Sequence, residues 1–152
     1  SPYSVQKSVS CFTAVAKLGT RLRPTMHPHG TAIVVHEGRI IGYAYANQYR
    51  PRPAYRYCVE DSVYVDAELQ RSGAGRALVA ELVARCEAIG ARQMIAVIGD
   101  SANIGSIGLH QALGFEVAGV LRNTGWKFGR WLDTVYMQRA LGQGASTPGT
   151  DW

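Results

Sequence analysis

The stretch SVYVDAELQRSGAGRALVAELVARCEAIG, residues 62–90, decides the fold. It opens in a β-rich run, passes a turn holding Gly73 and Gly75, and closes in an amphipathic helix that stops at Gly90. In the run before the turn, Val59, Val63 and Val65 share one side-chain parity, and Glu60, Ser62 and Tyr64 share the other, because successive side chains of a strand point to opposite faces. The helix is expected over residues 75–89, with Leu78, Leu82 and Ile89 as its buried stripe and Val79, Val83 and Cys86 alongside. The first N–H groups of a helix lack intrahelical partners and carry the positive end of its dipole, so a strand running through glycines into a helix is a ready anion site. Gly73 and Gly75 allow close backbone approach, Arg71 and Arg76 add charge, and a pyrophosphate is the natural ligand. The same glycines serve equally well a tight turn with no ligand. The spacing is neither GxGxxG nor GxxxxGK[ST], which disfavours a Rossmann site and a P-loop.

Working outward, residues 31–37 and 39–47 are β-rich runs on either side of Gly38 and predict a hairpin. Residues 50–54, RPRPA, form a Pro-punctuated loop, and 55–65 form a long strand. Beyond the helix, RQMIAVI at 92–98 is a continuous apolar run, the pattern of a fully buried strand. A second helix is expected over 103–113, ending at Gly114, then strands at 115–122 and 131–139 around a loop at 123–130. Near the start, Val5, Val9, Phe12, Val15 and Ala16 fall on one face of a helix spanning 4–18, and 19–30 is a loop. The order implies an α/β (α+β) fold, a mixed sheet with helices on its faces. The domain organisation read from the chain is an atypical segment at 1–30, a core at 31–141, and a Gly/Ser/Thr/Pro-rich tail at 142–152 expected to be disordered.

The 152 residues fit one domain. Net charge is +5 with scattered basic residues and no run of Lys/Arg, which argues against a nucleic-acid partner and suits a polyanionic ligand. Cys11, Cys58 and Cys86 show no CxxC spacing, the usage of a reduced, cytoplasmic protein. No apolar run is long enough to span a membrane, and nothing resembles a signal peptide. The first residue is Ser1, as in a processed terminus. His27, His29 and His36 do not form a metal set, and no metal is expected.

Gln70-x-x-Gly73-x-Gly75 resembles the Q/R-x-x-G-x-G/A signature of the GNAT superfamily of N-acetyltransferases, and Leu109-His110-Gln111-Ala112-Leu113-Gly114-Phe115 resembles its second landmark, a helix ending in LGF. Three stretches are similar to the phosphinothricin acetyltransferase branch: GYAYANQYRPRPAYRYCVEDSVYV (42–65), MIAVIGDSANIGSIGLHQALGF (94–115) and GWKFGRWLDTVYMQ (125–138). The resemblance covers roughly residues 31–141. It implies a mostly antiparallel mixed sheet whose central strands splay apart, with acetyl-CoA as cofactor. The pantetheine arm would lie along Val63, Tyr64 and Val65, and the pyrophosphate on the amides of Arg71, Ser72, Gly73, Ala74, Gly75 and Arg76, after Gln70. Family members begin with a strand and two helices whose connecting loop helps build the amine pocket. Residues 1–30 match neither, as in a chain truncated or recombined at its start.

Asn103, Ser106 and His110 recur at spacings that share one helix face. The resemblance places Asn103 against the cofactor; its position also suits a helix N-cap. His110 stands where many relatives carry a Tyr that protonates the departing thiolate; a satisfied structural histidine is the bland alternative. Glu60, on the strand leading to the cofactor turn, suits the base that takes the amine proton, or a strand-face carboxylate paired with Arg or Lys. Asp61 has the opposite parity and is set aside. Arg56 suits an anionic group on the substrate, with Tyr55, Tyr57, Lys127 and Trp131 as further pocket residues. Direct acetyl transfer in a ternary complex is expected, the amide of Val65 polarising the thioester, since neither Cys58 nor Cys86 has the setting of a nucleophile. The expected substrate is the primary amine of a small amino-acid-like molecule of the phosphinothricin or methionine sulfoximine type. An acyl-CoA-binding module without catalysis, or a peptide N-acetyltransferase, are the alternatives. Trp126, Phe128 and Trp131 cluster in the loop at 125–133, and branch members are similar in forming dimers, so a homodimer is expected.

Overall fold

The computed structural model describes residues 39–67 and 72–150 with their side chains, and residues 4–7, 13–18 and 31–36 by their backbone. Eight strands form one sheet: β1 Ser4–Lys7, β2 Thr13–Leu18, β3 Thr31–His36, β4 Arg39–Gln48, β5 Cys58–Val65, β6 Gln93–Ile98, β7 Glu116–Lys127 and β8 Arg130–Ala140. Helix α1, Ala74–Ala88, follows β5, and α2, Ile104–Ala112, follows β6. The strand order is β1-β2-β3-β4-β5-β6-β8-β7. Only the β2–β3 and β5–β6 pairs are parallel, so the mixed, mostly antiparallel sheet expected from the resemblance is the one found.

The structure departs from expectation in both terminal segments. The helix expected over 4–18 is not found: 4–7 and 13–18 are strands, paired with each other antiparallel, while 8–12 and the loop expected at 19–30 lie outside the described residues. The Val, Ser and Thr content that makes a poor helix is favourable in a strand, and sheet pairing overrides an apolar spacing that also fits a helix. The tail is ordered through residue 150. Leu141 is fully buried, Arg92 Nη1 donates to Gly144 O at 2.9 Å and Thr147 Oγ1 at 2.8 Å, and the Tyr57 hydroxyl meets Thr150 Oγ1 at 2.6 Å. A polar, glycine-rich segment with no apolar stripe folds back because one arginine and one tyrosine supply its partners.

The core lies between α1 and the sheet. Leu78, Val79, Leu82, Val83 and Cys86 are buried, while Ile89, past the helix end, is 50 % exposed and drops out of the expected stripe. They meet Ile41, Ala44 and Ala46 of β4, Met94 and Ala96 of β6, and Met137 of β8. Gly42 lies beneath this packing: a Cβ there would stand 2.9 Å from the carbonyl oxygen of Tyr64 and 3.3 Å from Leu78. The expected hairpin at 31–47 is β3–β4. The expected loop at 123–130 shrinks to a tight turn, since β7 runs to Lys127 and pairs Trp126 with Trp131.

Candidate active site

The site follows from a mismatch in strand pairing. β4 pairs with β5 from Val59 to Val65, but β6 pairs with it only from Cys58 to Asp61. From Ser62 onward β5 loses its neighbour on one side, and the sheet opens into a wedge with Asp61 at its apex. Backbone polar groups alternate between the two edges of a strand. The bond from Asp66 N to Ile41 O places the even-numbered amides toward β4, which turns the amides of Val63 and Val65 toward the gap. The cleft is lined by Ser62, Val63 and Tyr64 on one side, Val97, Ile98 and Gly99 on the other, and Asn103, Ser106 and His110 of the α2 segment. Unsatisfied main-chain groups along one wall suit an extended ligand carrying its own amides.

The wide end of the wedge meets the start of α1. Gly73 caps the helix at φ 87°, a left-handed conformation that favours glycine. The first intrahelical bond runs from Ala77 N to Gly73 O at 3.0 Å, so the amides of Gly75 and Arg76 precede the ladder. Ala74 N donates to Ser72 Oγ at 3.4 Å. Gly75 also serves packing: a Cβ there would lie 3.1 Å from Leu109 Cδ2, so this glycine admits the close approach of α1 to α2. Gln70 and Arg71 lie outside the described residues.

Asn103 caps α2, its Oδ1 accepting from Ser106 N at 3.2 Å, and lines the cleft at the same time. Asn103 is thus the N-cap of α2 and faces the cleft. The LGF landmark has a local cause. Gly114, at φ 84°, ends α2 in the left-handed region, and Phe115 turns back so that its ring stands edge-on to His110 with centroids 4.9 Å apart.

His110 is 2 % exposed and both ring nitrogens are engaged: Nδ1 with the Ser106 carbonyl at 2.8 Å, Nε2 with Asp61 Oδ2 at 2.7 Å. A carbonyl only accepts, so Nδ1 carries a proton. Burial, the largest single effect, would lower the His110 pKa, but the hydrogen bond and charge of Asp61, with the Ser106 carbonyl, raise it above its ordinary value. Both ring nitrogens face oxygen atoms, and the raised pKa favours the protonated ring, which can donate from both. Removing one partner of such a buried pair typically costs about 3–5 kcal/mol. Asp61 is the residue the sequence reading missed. Its parity, shared with Val59 and Val63, aims it at the core, and a carboxylate on a buried face demands a partner.

Glu60 points to the other face of β5, half-buried, opposite Asn47. Burial pushes its carboxyl above the usual range, against the pull of the Arg50 charge, and the Asp61 charge adds to the rise. A carboxylate eased toward neutrality is a better proton acceptor near pH 7. Arg56 donates to Pro53 O at 2.8 Å and lies over the Tyr57 ring, while Tyr57 itself holds the tail. Trp131 packs against Trp126 and Lys127 sits over Phe128, at the exposed tip of the β7–β8 hairpin. Arg56, Tyr57, Lys127 and Trp131 stand on two separate segments, and none lines the cleft. Cys58 and Cys86 are poorly placed for nucleophilic work: burial pushes Cys86 up to about 11, and Cys58 is raised for the same reason. Among the described residues no His/Cys/Asp/Glu group could hold a metal, and no helix is long and apolar enough to cross a membrane.

The chain is similar to proteins that share this architecture. It is 53% identical over 115 residues to phosphinothricin N-acetyltransferase of Alcaligenes faecalis, covering 76% of this chain and 58% of the relative. It is 43% identical over 111 residues to the L-methionine sulfoximine/L-methionine sulfone acetyltransferase of Pseudomonas paraeruginosa, covering 73% and 64%. The chain thus spans about three fifths of the length of these relatives. The crystal structure of a GNAT superfamily phosphinothricin acetyltransferase from Sinorhizobium meliloti in complex with AcCoA matches at a TM-score of 0.77 and 53% identity, over 81% of this chain and 66% of that one. The model of the acetyltransferase (GNAT) family matches residues 6–115, taking in most of the N-terminal segment that sequence reading had left outside the resemblance, and with the wedge, the glycine-led helix and the LGF turn in place the chain belongs to the GNAT family.

Proposed function

We propose that this chain is an acetyl-CoA-dependent N-acetyltransferase acting on the primary amine of a small amino-acid-like molecule. The observation that carries the reading is the wedge: β5 loses β6 after Asp61 and turns two main-chain amides, of Val63 and Val65, into a gap ending at the start of α1. The extended pantetheine arm, with two amides of its own, completes the missing ladder, and its pyrophosphate meets Gly73, Ala74, Gly75 and Arg76. Val63 lies nearer the apex than Val65, so its amide, in place of the Val65 amide expected from the sequence, meets the thioester carbonyl, and that of Val65 meets the arm. Asn103 and Ser106 border the cofactor from α2. The names of the relatives, phosphinothricin and methionine sulfoximine acetyltransferases, support a substrate of that class.

Transfer is direct, within a ternary complex. Glu60 takes the amine proton, the nitrogen attacks the acetyl carbon, and CoA leaves as a thiolate. With Cys86 held protonated and Cys58 shifted the same way, neither of the two described thiols competes as an acetyl carrier. Arg56, Tyr57, Lys127 and Trp131 fit a pocket completed by a second copy, and the exposed Trp126, Phe128 and Trp131 suit the interface of a homodimer. Titration calorimetry with acetyl-CoA, followed by thiol release over a panel of amino-acid analogues, tests the reading. Absence of acetyl-CoA binding overturns it, and binding without thiol release on any amine leaves only an acyl-CoA-binding module. A monomer in light scattering at micromolar concentration overturns the dimer.

A further inference from the structure

Taking the cleft as the acetyl-CoA site, we propose that Asp61 is a positioning residue, and that Asp61 and His110 form a strut that fixes α2 across the apex of the wedge without donating a proton in the reaction. Asp61 is the last residue of β5 paired with β6, opposite Ala96. Past it no main-chain bond joins the two strands, and the next tie across the opening is the 2.7 Å contact to His110. His110 is in turn fixed by Ser106 O, one helical turn back, and by the edge of Phe115. Those three contacts set where α2 stands, and with it the cleft-lining Asn103 and Ser106.

Geometry argues against the acid role that the family position suggests. Nδ1–H is committed to a carbonyl. Nε2–H lies in a short charge-assisted bond between side chains that are each 3 % exposed, and giving that proton to a thiolate would leave a bare carboxylate facing a lone pair in the core. A thiol has an ordinary pKa near 8.5, so a departing thiolate is a tolerable leaving group near neutral pH and takes its proton from water in the open cleft. The titratable neighbours of the pair are Cys86 on α1, whose pKa the Asp61 charge helps to raise, and Glu60 on the opposite face of β5. Neither is placed to relay a proton to the cleft side.

Asp61→Asn keeps the shape and offers an amide N–H to a neutral His110, exchanging a charged pair for an uncharged one; Asp61→Ala removes the tie. Three measurements on the full chain decide. In NMR titration, the His110 ring should titrate at higher pH in the parent than in Asp61→Asn. In calorimetry, acetyl-CoA alone should bind Asp61→Ala at least tenfold more weakly, with Asp61→Asn recovering most of the loss. In turnover, the pH limbs of kcat should not follow the shift of His110 seen by NMR. A kcat limb that moves with the His110 titration makes it the acid and overturns the strut, as does a folded Asp61→Ala that binds acetyl-CoA like the parent. If the parent does not bind acetyl-CoA, the cofactor reading fails, and the NMR result alone judges the strut: a ring titrating identically in the parent and Asp61→Asn refutes the pair.

Discussion

Gly73 offers a clean test of the anion site, because its backbone and a ligand ask different things of a substitution. At φ 87° and ψ 0° a side chain is strained, but Asn and Asp tolerate the left-handed region better than other residues. Asp and Asn are nearly isosteric, so Gly73→Asn and Gly73→Asp carry the same backbone cost and differ by one charge. That charge sits at the N-terminus of α1, where an anion stabilises the helix, so weaker binding in the Asp variant cannot come from a weaker fold. Against a phosphate charge about 6 Å away, Coulomb's law gives roughly 0.7 kcal/mol in fully aqueous surroundings and about 2.8 kcal/mol at an effective dielectric constant near 20. The dissociation constant for acetyl-CoA should therefore be about 3-fold to 100-fold higher for Gly73→Asp than for Gly73→Asn, and the ratio should shrink with added salt. Titration calorimetry at two ionic strengths reads it. Equal affinities, with both variants folded, would refute the placement of the pyrophosphate on this helix.

Glu60→Gln keeps the shape and loses the base, so turnover should fall about 10²–10⁴-fold with acetyl-CoA affinity nearly unchanged; a fully active variant on its true substrate removes Glu60 from the mechanism. Because burial raises the Glu60 carboxyl and activity needs its ionised form, kcat/KM should be lost as pH falls through a value above the ordinary 4.5. Arg50→Ala, which deletes the opposing charge, should move that limb to higher pH. The double variant Cys58→Ser, Cys86→Ser should stay active, and an acetylated cysteine trapped on the reaction path would overturn direct transfer. Gly42→Ala should cost about 1–3 kcal/mol of stability by overpacking, since its methyl meets the Tyr64 carbonyl, a backbone atom that cannot swing aside; an unchanged urea midpoint would show that β5 yields there. The His110 pKa is raised on folding, so the stability this group contributes is full below its ordinary 6.5 and lost as pH rises through the folded value. Unfolding measured against pH should show that slope in the parent and lose it in Asp61→Asn.

The cofactor half of the molecule was legible because its signals are local. A strand, two glycines and an apolar helical stripe fix the end of β5, the turn and α1 within a residue, and Asn103 announces a cap by its place before the second helix. The wedge itself was not legible from residue types: it depends on how far β6 accompanies β5, a matter of register. The partnership of Asp61 with His110 joins residues 49 positions apart, yet it left a trace, a carboxylate on the inward parity of a central strand. The N-terminal strands were misread because Val5 and Val15 fit a helical stripe while their propensity favours a sheet, and pairing with neighbours decided. The tail was misread because its partners, Arg92 and Tyr57, lie far back in the chain.

The short pairing of β5 with β6 also has a mechanical meaning. Among the described residues, four strand rungs, Cys58 to Asp61 against Gln93 to Ala96, pair a leaf of five strands with a leaf of three in the hydrogen-bonded order. Such a sheet bends most easily along its narrowest seam, as a book opens at its spine. Twist of one leaf against the other would change the width of the wedge far more than it would disturb either leaf. Amide hydrogen exchange should then be slow inside each leaf and fastest along the seam, and a ligand that bridges Val63 and Val65 to the far wall would act as a splint, stiffening the whole sheet from its weakest line outward.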